Sequence, residues 1–183
     1  MDILVFDTGP LAHFARAGWL GVLKTLVGSR RAIIPVQVSL ELRQASGHEQ
    51  AVGTVLDATW IELHELNTEE ELRVFARFAA YLMSEGRNEG ETAVLAVAAT
   101  MPAQAVLDDS AGYRAAQREG VRCIRTLALL CESIRNGLLT AELVSAVADD
   151  LIETDYRLPF KPGEFIPWAI AESRHHTQNH TSM

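Results

Sequence analysis

Acidic residues follow two apolar runs of this 183-residue chain at the points where buried strands would end. Asp7 comes directly after residues 3–6, and Asp108 and Asp109 come directly after residues 105–107. In a parallel α/β sheet, ligands bind outside the carboxyl ends of the strands. We therefore predict that these three carboxylates face one crevice, provided that the two strands are neighbours.

Two glutamates are predicted to join this group. Glu91 lies at the start of a predicted helix, and Glu41 shares the inward side of its helix with Val38 and Ala45. Four or five carboxylates at close range repel one another and shift their pKa values, so such a cluster is most easily tolerated when cations fill it. Oxygen ligands without a nearby His or Cys favour Mg²⁺ or Mn²⁺. Such ions bind phosphate oxygens and activate water, which is the chemistry of phosphodiester hydrolysis.

Each acid also has a local structural explanation. Asp7 would serve as a helix cap, and the Asp108–Asp109 pair would serve as turn residues. Glu91 would pair with Asn88 in a capping box, whereas Glu41 alone would be a solvated helix residue. Only the joint placement of the acids favours a shared site.

The order of elements predicts an α/β fold with three layers, in which helices cover both faces of a central parallel sheet. Two capping boxes, Thr68 with Glu71 and Asn88 with Glu91, mark the starts of two helices. Predicted strands cover residues 3–6, 31–34, 60–63, 105–107 and 122–124. Predicted helices cover residues 8–16, 19–28, 36–44, 51–58, 68–84, 92–100, 112–119, 126–136 and 140–152.

The composition changes after Glu153, where three of the six prolines and three of the six histidines lie. We predict one domain over residues 1–153 and a C-terminal helical extension over residues 154–183. The last ten or so residues of this extension are predicted to be disordered.

The charge balance is acidic, with a net charge of −8, which argues against a general polyanion-binding protein. However, 14 of the 16 basic residues are arginines, which suit local phosphate contacts. Two cysteines are too few for a disulfide framework or a four-thiolate zinc site. No apolar stretch is long enough to span a membrane and the first residues do not form a signal peptide, so we expect a cytoplasmic protein.

Four segments together resemble the PIN-domain nucleases, the fold of the VapC-type toxins. The resemblance covers roughly residues 2–139 and is closest to a subgroup with a Gly-Glu pair and a double Asp. The segments are VFDTGPLAHFARAG, IIPVQVSLEL, NEGETAVLAVA and AVLDDSAGYRAAQREGV.

The resemblance implies a metal site built from Asp7, Glu41, Glu91 and either Asp108 or Asp109 or both. Glu91 stands where many relatives have Asp. The resemblance also singles out Thr8, the hydroxyl-bearing neighbour of Asp7, which we assign to contact with substrate phosphate.

The implied activity is that of an endoribonuclease using Mg²⁺ or Mn²⁺, and probable partners are an RNA substrate, an antitoxin protein and a second copy of the chain. Arg114, six residues after Asp108, could hold a neighbouring phosphate. The alternative is a catalytically silent PIN-fold module that binds RNA or protein. An aspartyl phosphatase is disfavoured, because Gly9 stands where that chemistry needs a second Asp.

Overall fold

The computed structural model describes residues 2–83 and 88–180, with side chains as far as residue 172. The chain divides into two compact units, Met1–Thr126 and Leu127–Met183. The first unit contains the sheet and the predicted acidic residues, and the second is helical.

The first unit is built on a five-stranded parallel sheet with the order β3-β2-β1-β4-β5. The strands are β1 (Ile3–Phe6), β2 (Arg31–Pro35), β3 (Ile61–His64), β4 (Ala103–Val106) and β5 (Cys123–Ile124). All four residues of β1 are buried. Because successive residues of a strand face opposite sides, both faces of the sheet are covered at its centre. This confirms the predicted α/β architecture.

Seven helices of this unit connect the strands. They are α1 (Thr8–Arg16), α2 (Leu20–Val27), α3 (Val36–Ser46), α4 (Gln50–Leu56), α5 (Glu69–Leu82), α6 (Glu89–Thr100) and α7 (Ser110–Arg118). Helix α6 is the core helix, because every residue from Gly90 to Ala98 is buried. A helix that is apolar on all sides in this way belongs in the interior. Its first turn therefore carries Glu91 into the interior as well.

The carboxyl ends of β1 and β4 are adjacent, which meets the condition on which the predicted crevice depends. Phe6 pairs with Val106 in the parallel register, and the N–H of Asp7 donates to the Val106 carbonyl at 3.0 Å. Strand β4 lies one residue or more earlier than predicted, so Leu107 separates it from Asp108. Leu107 is fully buried and extends the apolar run beyond the last strand pairing.

The second unit contains most of α8 (Thr126–Arg135), together with α9 (Ala141–Glu153) and α10 (Phe165–His180). Thr140 caps α9 by accepting a hydrogen bond from the Leu143 N–H at 3.2 Å. The rings of Phe160, Phe165 and Trp168 pack together, with centroids 5.0–6.1 Å apart. The boundary at residue 153 and the disorder of the final residues stay predictions.

The other predicted helices and strands agree with the structure to within a few residues, including the start of α5 at its capping box. The predicted end of α5 near residue 84 lies outside the described residues, and the helix ends at Leu82. No helix in the part of the chain that the structure describes has the length and hydropathy needed to cross a membrane.

Candidate metal centre

A cavity of about 190 Å³ lies at the carboxyl edge of the sheet. Four of its six lining residues are acidic, and the set is Asp7, Thr8, Glu41, Asn88, Glu91 and Asp109. Asp7 follows β1, Glu41 lies on the helix after β2, and Asp109 follows β4. Helix α6 leads into the start of β4 and therefore begins at the edge where the strands end. Its first turn, with Glu91, also lies at this edge. The parallel topology therefore gathers acids that are distant in sequence.

Asp7 stands at the N-cap position of α1, but its side chain makes no capping hydrogen bond there. The pKa of this carboxyl is raised to about 7, mainly by burial and also by the negative charges of Glu41, Asp108 and Asp109. The hydrogen bond from the Thr8 amide opposes the rise. The purely structural explanation of Asp7 as a helix cap is therefore not observed.

Glu41 is fixed by donors from two other elements. The Thr8 hydroxyl donates to its Oε2, and the Gly90 N–H donates to its Oε1 at 2.9 Å. A Cβ atom at position 90 would lie only 2.6–2.8 Å from the carboxylate atoms of Glu41. The glycine is thus needed for α6 to approach the carboxylate.

Glu91 is only 6% exposed, and its Oε1 is buried without a hydrogen-bond partner among the described residues. Burial raises the pKa of Glu91 to about 8, the charges of Asp7, Asp109 and Glu41 add to the rise, and the Gly112 amide offsets part of it. A Cβ atom at Gly112 would lie 2.0 Å from Oε1, so α7 also approaches through a glycine.

The predicted capping box of Asn88 with Glu91 is wrong. Asn88 has a left-handed backbone with φ of 64°, whereas an N-cap residue normally has an extended backbone, and its side chain caps nothing. Its Nδ2 instead donates to the Leu82 carbonyl at 3.0 Å. Glu91 consequently lines the cavity, and Asn88 is a lining residue that the sequence interpretation missed.

The structure distinguishes the two adjacent aspartates. Both oxygens of Asp108 accept hydrogen bonds from Thr126, from its N–H at 2.9 Å and its hydroxyl at 2.7 Å. Asp109 caps α7 by accepting from the Ala111 N–H at 2.6 Å, and it lines the cavity. Asp108 is not among the lining residues in the described part of the chain, although its charge raises the pKa of Asp7.

Arg114, predicted to contact phosphate, is exposed on α7 and does not line the cavity formed by the described residues. Thr8 does line it and donates to Glu41.

The glycines at 90 and 112 are a second feature that the sequence interpretation missed. The sequence held only a weak signal for them, because a glycine inside a helix costs about 1 kcal/mol relative to alanine, but Gly21 lies inside α2 without any such close neighbour.

The chemistry of the lining residues fits a hard divalent cation, because the donors are all oxygens and one buried carboxylate oxygen has no partner. Burial is the main cause of the raised pKa values of Asp7 and Glu91, the neighbouring acids add to it, and none of the described lining residues is basic. Within residues 2–83 and 88–180, however, no three His, Cys, Asp or Glu side chains already stand in an arrangement that could hold a metal ion. Glu41 and Asp109 each accept a hydrogen bond from a backbone N–H group, that of Gly90 and that of Ala111 respectively.

Comparison with known proteins identifies the family. A family model described as DUF3368, PIN domain, matches residues 3–162, which is most of the chain. No curated protein matches the sequence. PIN domains are generally nucleases, and they typically bind divalent metals. The chain therefore belongs to the PIN-domain family.

Proposed function

We propose that this protein is a divalent-cation-dependent endoribonuclease that hydrolyses RNA phosphodiester bonds. The observation that carries the proposal is the meeting of Asp7, Glu41, Glu91 and Asp109 in one cavity, where an oxygen of Glu91 has no partner among the described residues. A cluster of this charge repels phosphate by itself. It becomes a phosphate site only when Mg²⁺ or Mn²⁺ neutralises it.

Some residues of the site would bind the cation, and others orient these ligands. Asp7, Glu41, Glu91 and Asp109 would hold the cation, which when bound supplies Lewis-acid activation of water and of the scissile phosphate. The Thr8 hydroxyl orients the Glu41 carboxylate, and the first turn of α7 orients Asp109. The surrounding buried strands fix the backbone positions of these residues.

We also propose that the protein acts as the toxin of a toxin–antitoxin pair in the cytoplasm, as a homodimer that an antitoxin silences. The support is the resemblance of its four motif segments to VapC-type toxins. The family match supports the nuclease fold on which this proposal rests.

The decisive experiment is the replacement Asp7→Asn, assayed by RNA cleavage with Mg²⁺ or Mn²⁺. We expect cleavage to be abolished and the circular dichroism spectrum to be unchanged. Glu89→Gln is the matched control, because Glu89 is an exposed acid in the same turn as Glu91 and does not line the cavity. Full activity of Asp7→Asn would contradict the proposed site.

A catalytically silent module that binds RNA or protein is the second candidate. It is favoured by the fact that the described acids do not stand in a ready metal-binding arrangement. If Mn²⁺ neither raises the melting temperature nor promotes cleavage of any RNA, this second function replaces the first.

A further inference from the structure

Arg125 and Tyr113 form a cation–π pair on two segments that contact the Asp108–Asp109 turn. The guanidinium carbon of Arg125 lies 4.6 Å from the centroid of the Tyr113 ring, which is within the range of a cation–π contact. Arg125 is exposed, and it forms no ion pair with a carboxylate of the described residues. It therefore presents an uncompensated positive charge to solvent.

Arg125 and Tyr113 are each connected to the Asp108–Asp109 turn, from two different segments of the chain. Arg125 directly precedes Thr126, whose N–H and hydroxyl bind both oxygens of Asp108. Tyr113 lies one turn into α7, where its N–H donates to the Asp109 carbonyl at 3.0 Å. Both members of the pair are thus fixed by short backbone connections to the acidic edge of the sheet.

The Tyr113 side chain also contacts β5. The ring is half-buried, and its hydroxyl interacts with the Cys123 thiol. Burial raises the pKa of that thiol, and the hydrogen bond from Tyr113 opposes the rise. A ring fixed in this way limits the positions of the guanidinium above it, so less conformational entropy is lost when Arg125 binds a ligand.

The charge distribution explains why such a residue is needed. None of the described residues lining the cavity is basic. A cation in the cavity neutralises the phosphate under attack, but the neighbouring phosphates of a strand still require positive partners. Four other arginines of the first unit are already paired with glutamates, and these pairs are Arg16–Glu49, Arg31–Glu62, Arg73–Glu69 and Arg77–Glu119.

We propose that Arg125, positioned by Tyr113, binds a phosphate of the RNA strand adjacent to the one held at the acidic cavity. This inference rests on the proposed ribonuclease function. Arg125 would be a substrate-binding residue and Tyr113 a positioning residue, because the ring acts through the guanidinium. A planar guanidinium donates two parallel hydrogen bonds to a phosphate, which lysine cannot do.

A matched control exists on the same helix. Arg118, in the last turn of α7, lies 5.7 Å from the centroid of the Tyr81 ring and is also exposed. It has the same charge and the same kind of aromatic partner, but it stands at the end of the helix remote from Asp109. Arg118→Gln therefore measures the effect of losing one surface charge alone.

The experiment measures RNA binding and cleavage separately. Binding of a labelled single-stranded RNA of mixed sequence is followed as a function of salt in the Asp7→Asn background, with and without Arg125→Gln or Arg118→Gln. We expect Arg125→Gln to weaken binding roughly tenfold, as for the loss of a charge-assisted hydrogen bond. It should also reduce the salt slope by about 0.7, the value for one phosphate contact of a single strand.

In the otherwise unchanged protein, we expect Arg125→Gln to raise KM and to change kcat little, because a contact to a phosphate that does not react contributes equally to ground and transition states. Arg125→Lys should restore part of the affinity. Tyr113→Phe keeps the ring but loses the contact with Cys123, so it should raise KM slightly, whereas Tyr113→Leu removes the ring and should raise KM more.

Equal binding by the Arg125→Gln and parent proteins would overturn the inference, and so would an equal loss on Arg118→Gln. If the parent protein binds RNA with the predicted dependence on Arg125 but never cleaves it, the inference holds and the proposed ribonuclease activity fails.

Discussion

Two glutamates of the first unit share a sequence context and a degree of burial but have opposite chemistry. Glu71 and Glu91 each follow a potential N-cap residue by three positions, and they are 4% and 6% exposed. Burial alone would raise both pKa values. The pKa of Glu71 is nevertheless lowered to about 2, whereas that of Glu91 is raised to about 8.

The difference arises from the donors around each carboxylate. Glu71 accepts hydrogen bonds from the N–H groups of Asn67 and Thr68 at 3.2 and 3.0 Å and from the Thr68 hydroxyl at 2.8 Å. His64 Nε2 lies 2.6 Å from its other oxygen. These contacts outweigh the effect of burial. Glu91 instead faces other acids, and its buried Oε1 has no partner in the described part of the chain.

A buried carboxylate with a full set of donors serves the fold, whereas one surrounded by like charges is destabilising unless something else compensates it. Glu71 fastens the start of α5. Glu91 has no comparable set of donors among the described residues, which supports the proposal that a cation binds there. This comparison leads to four predictions.

The largest difference is expected in catalysis. Glu91→Gln should reduce RNA cleavage roughly a thousandfold, because a metal ligand supports several kcal/mol of transition-state stabilisation. Glu71→Gln should cleave at the rate of the parent protein when both are assayed well below their melting temperatures. Loss of cleavage in the correctly folded Glu71 variant would break the comparison.

The second largest difference is expected in the stabilisation of the two variants by a bound cation. At a Mn²⁺ concentration of about 100 times Kd, binding stabilises the folded state by about 2.7 kcal/mol. For a protein of this length, that corresponds to a rise in Tm of roughly 5–10 °C. We expect calorimetry to show this rise for the parent protein and Glu71→Gln, but not for Glu91→Gln. An undiminished rise in the Glu91 variant would remove Glu91 from the metal site.

Without a cation, we expect Glu71→Gln to lower the free energy of unfolding more than Glu91→Gln does. Glu71→Gln should lower the free energy of unfolding by about 2 kcal/mol, because charge-assisted hydrogen bonds to buried donors are lost. Urea denaturation measures this change, with the exposed neighbour Glu70→Gln as its control. Glu91→Gln should change stability little at neutral pH, since a carboxyl with a pKa of about 8 is already largely uncharged there. A similar loss of stability in both glutamine variants would contradict the distinction.

The smallest effect is a dependence on acid pH. The pKa of Glu71 is about 2 in the folded protein and close to its ordinary value of 4.5 in the unfolded chain. Its contribution to stability is therefore complete above pH 4.5 and is lost as the pH falls towards 2. Over this range, denaturant titrations of Glu71→Gln should show a shallower decline in stability than those of the parent protein. Parallel curves would mean that Glu71 is not the titrating group.

The amino-acid sequence was sufficient for the sheet, the helices and the acids that meet at its edge. Alternation of apolar runs and helical patterns predicts parallel strands, and the topology then brings Asp7 and Asp109 together. The sequence could not show that one potential capping box forms and the other does not, because residue spacing gives no information on the backbone conformation of Asn88. Nor could it separate Asp108 from Asp109, since that difference depends on the distant residue Thr126.

The glycine of α7 shows that the charge and the shape of this site can be altered independently. An alanine at position 112 would introduce one methyl group 2.0 Å from the place where Glu91 Oε1 now lies, so the carboxylate would have to move. Every acidic group would be retained, together with its electric field. Such a variant would keep the charge of the site and change only the position of one carboxylate. Its ability to bind a cation would therefore show how far binding depends on charge and how far on geometry.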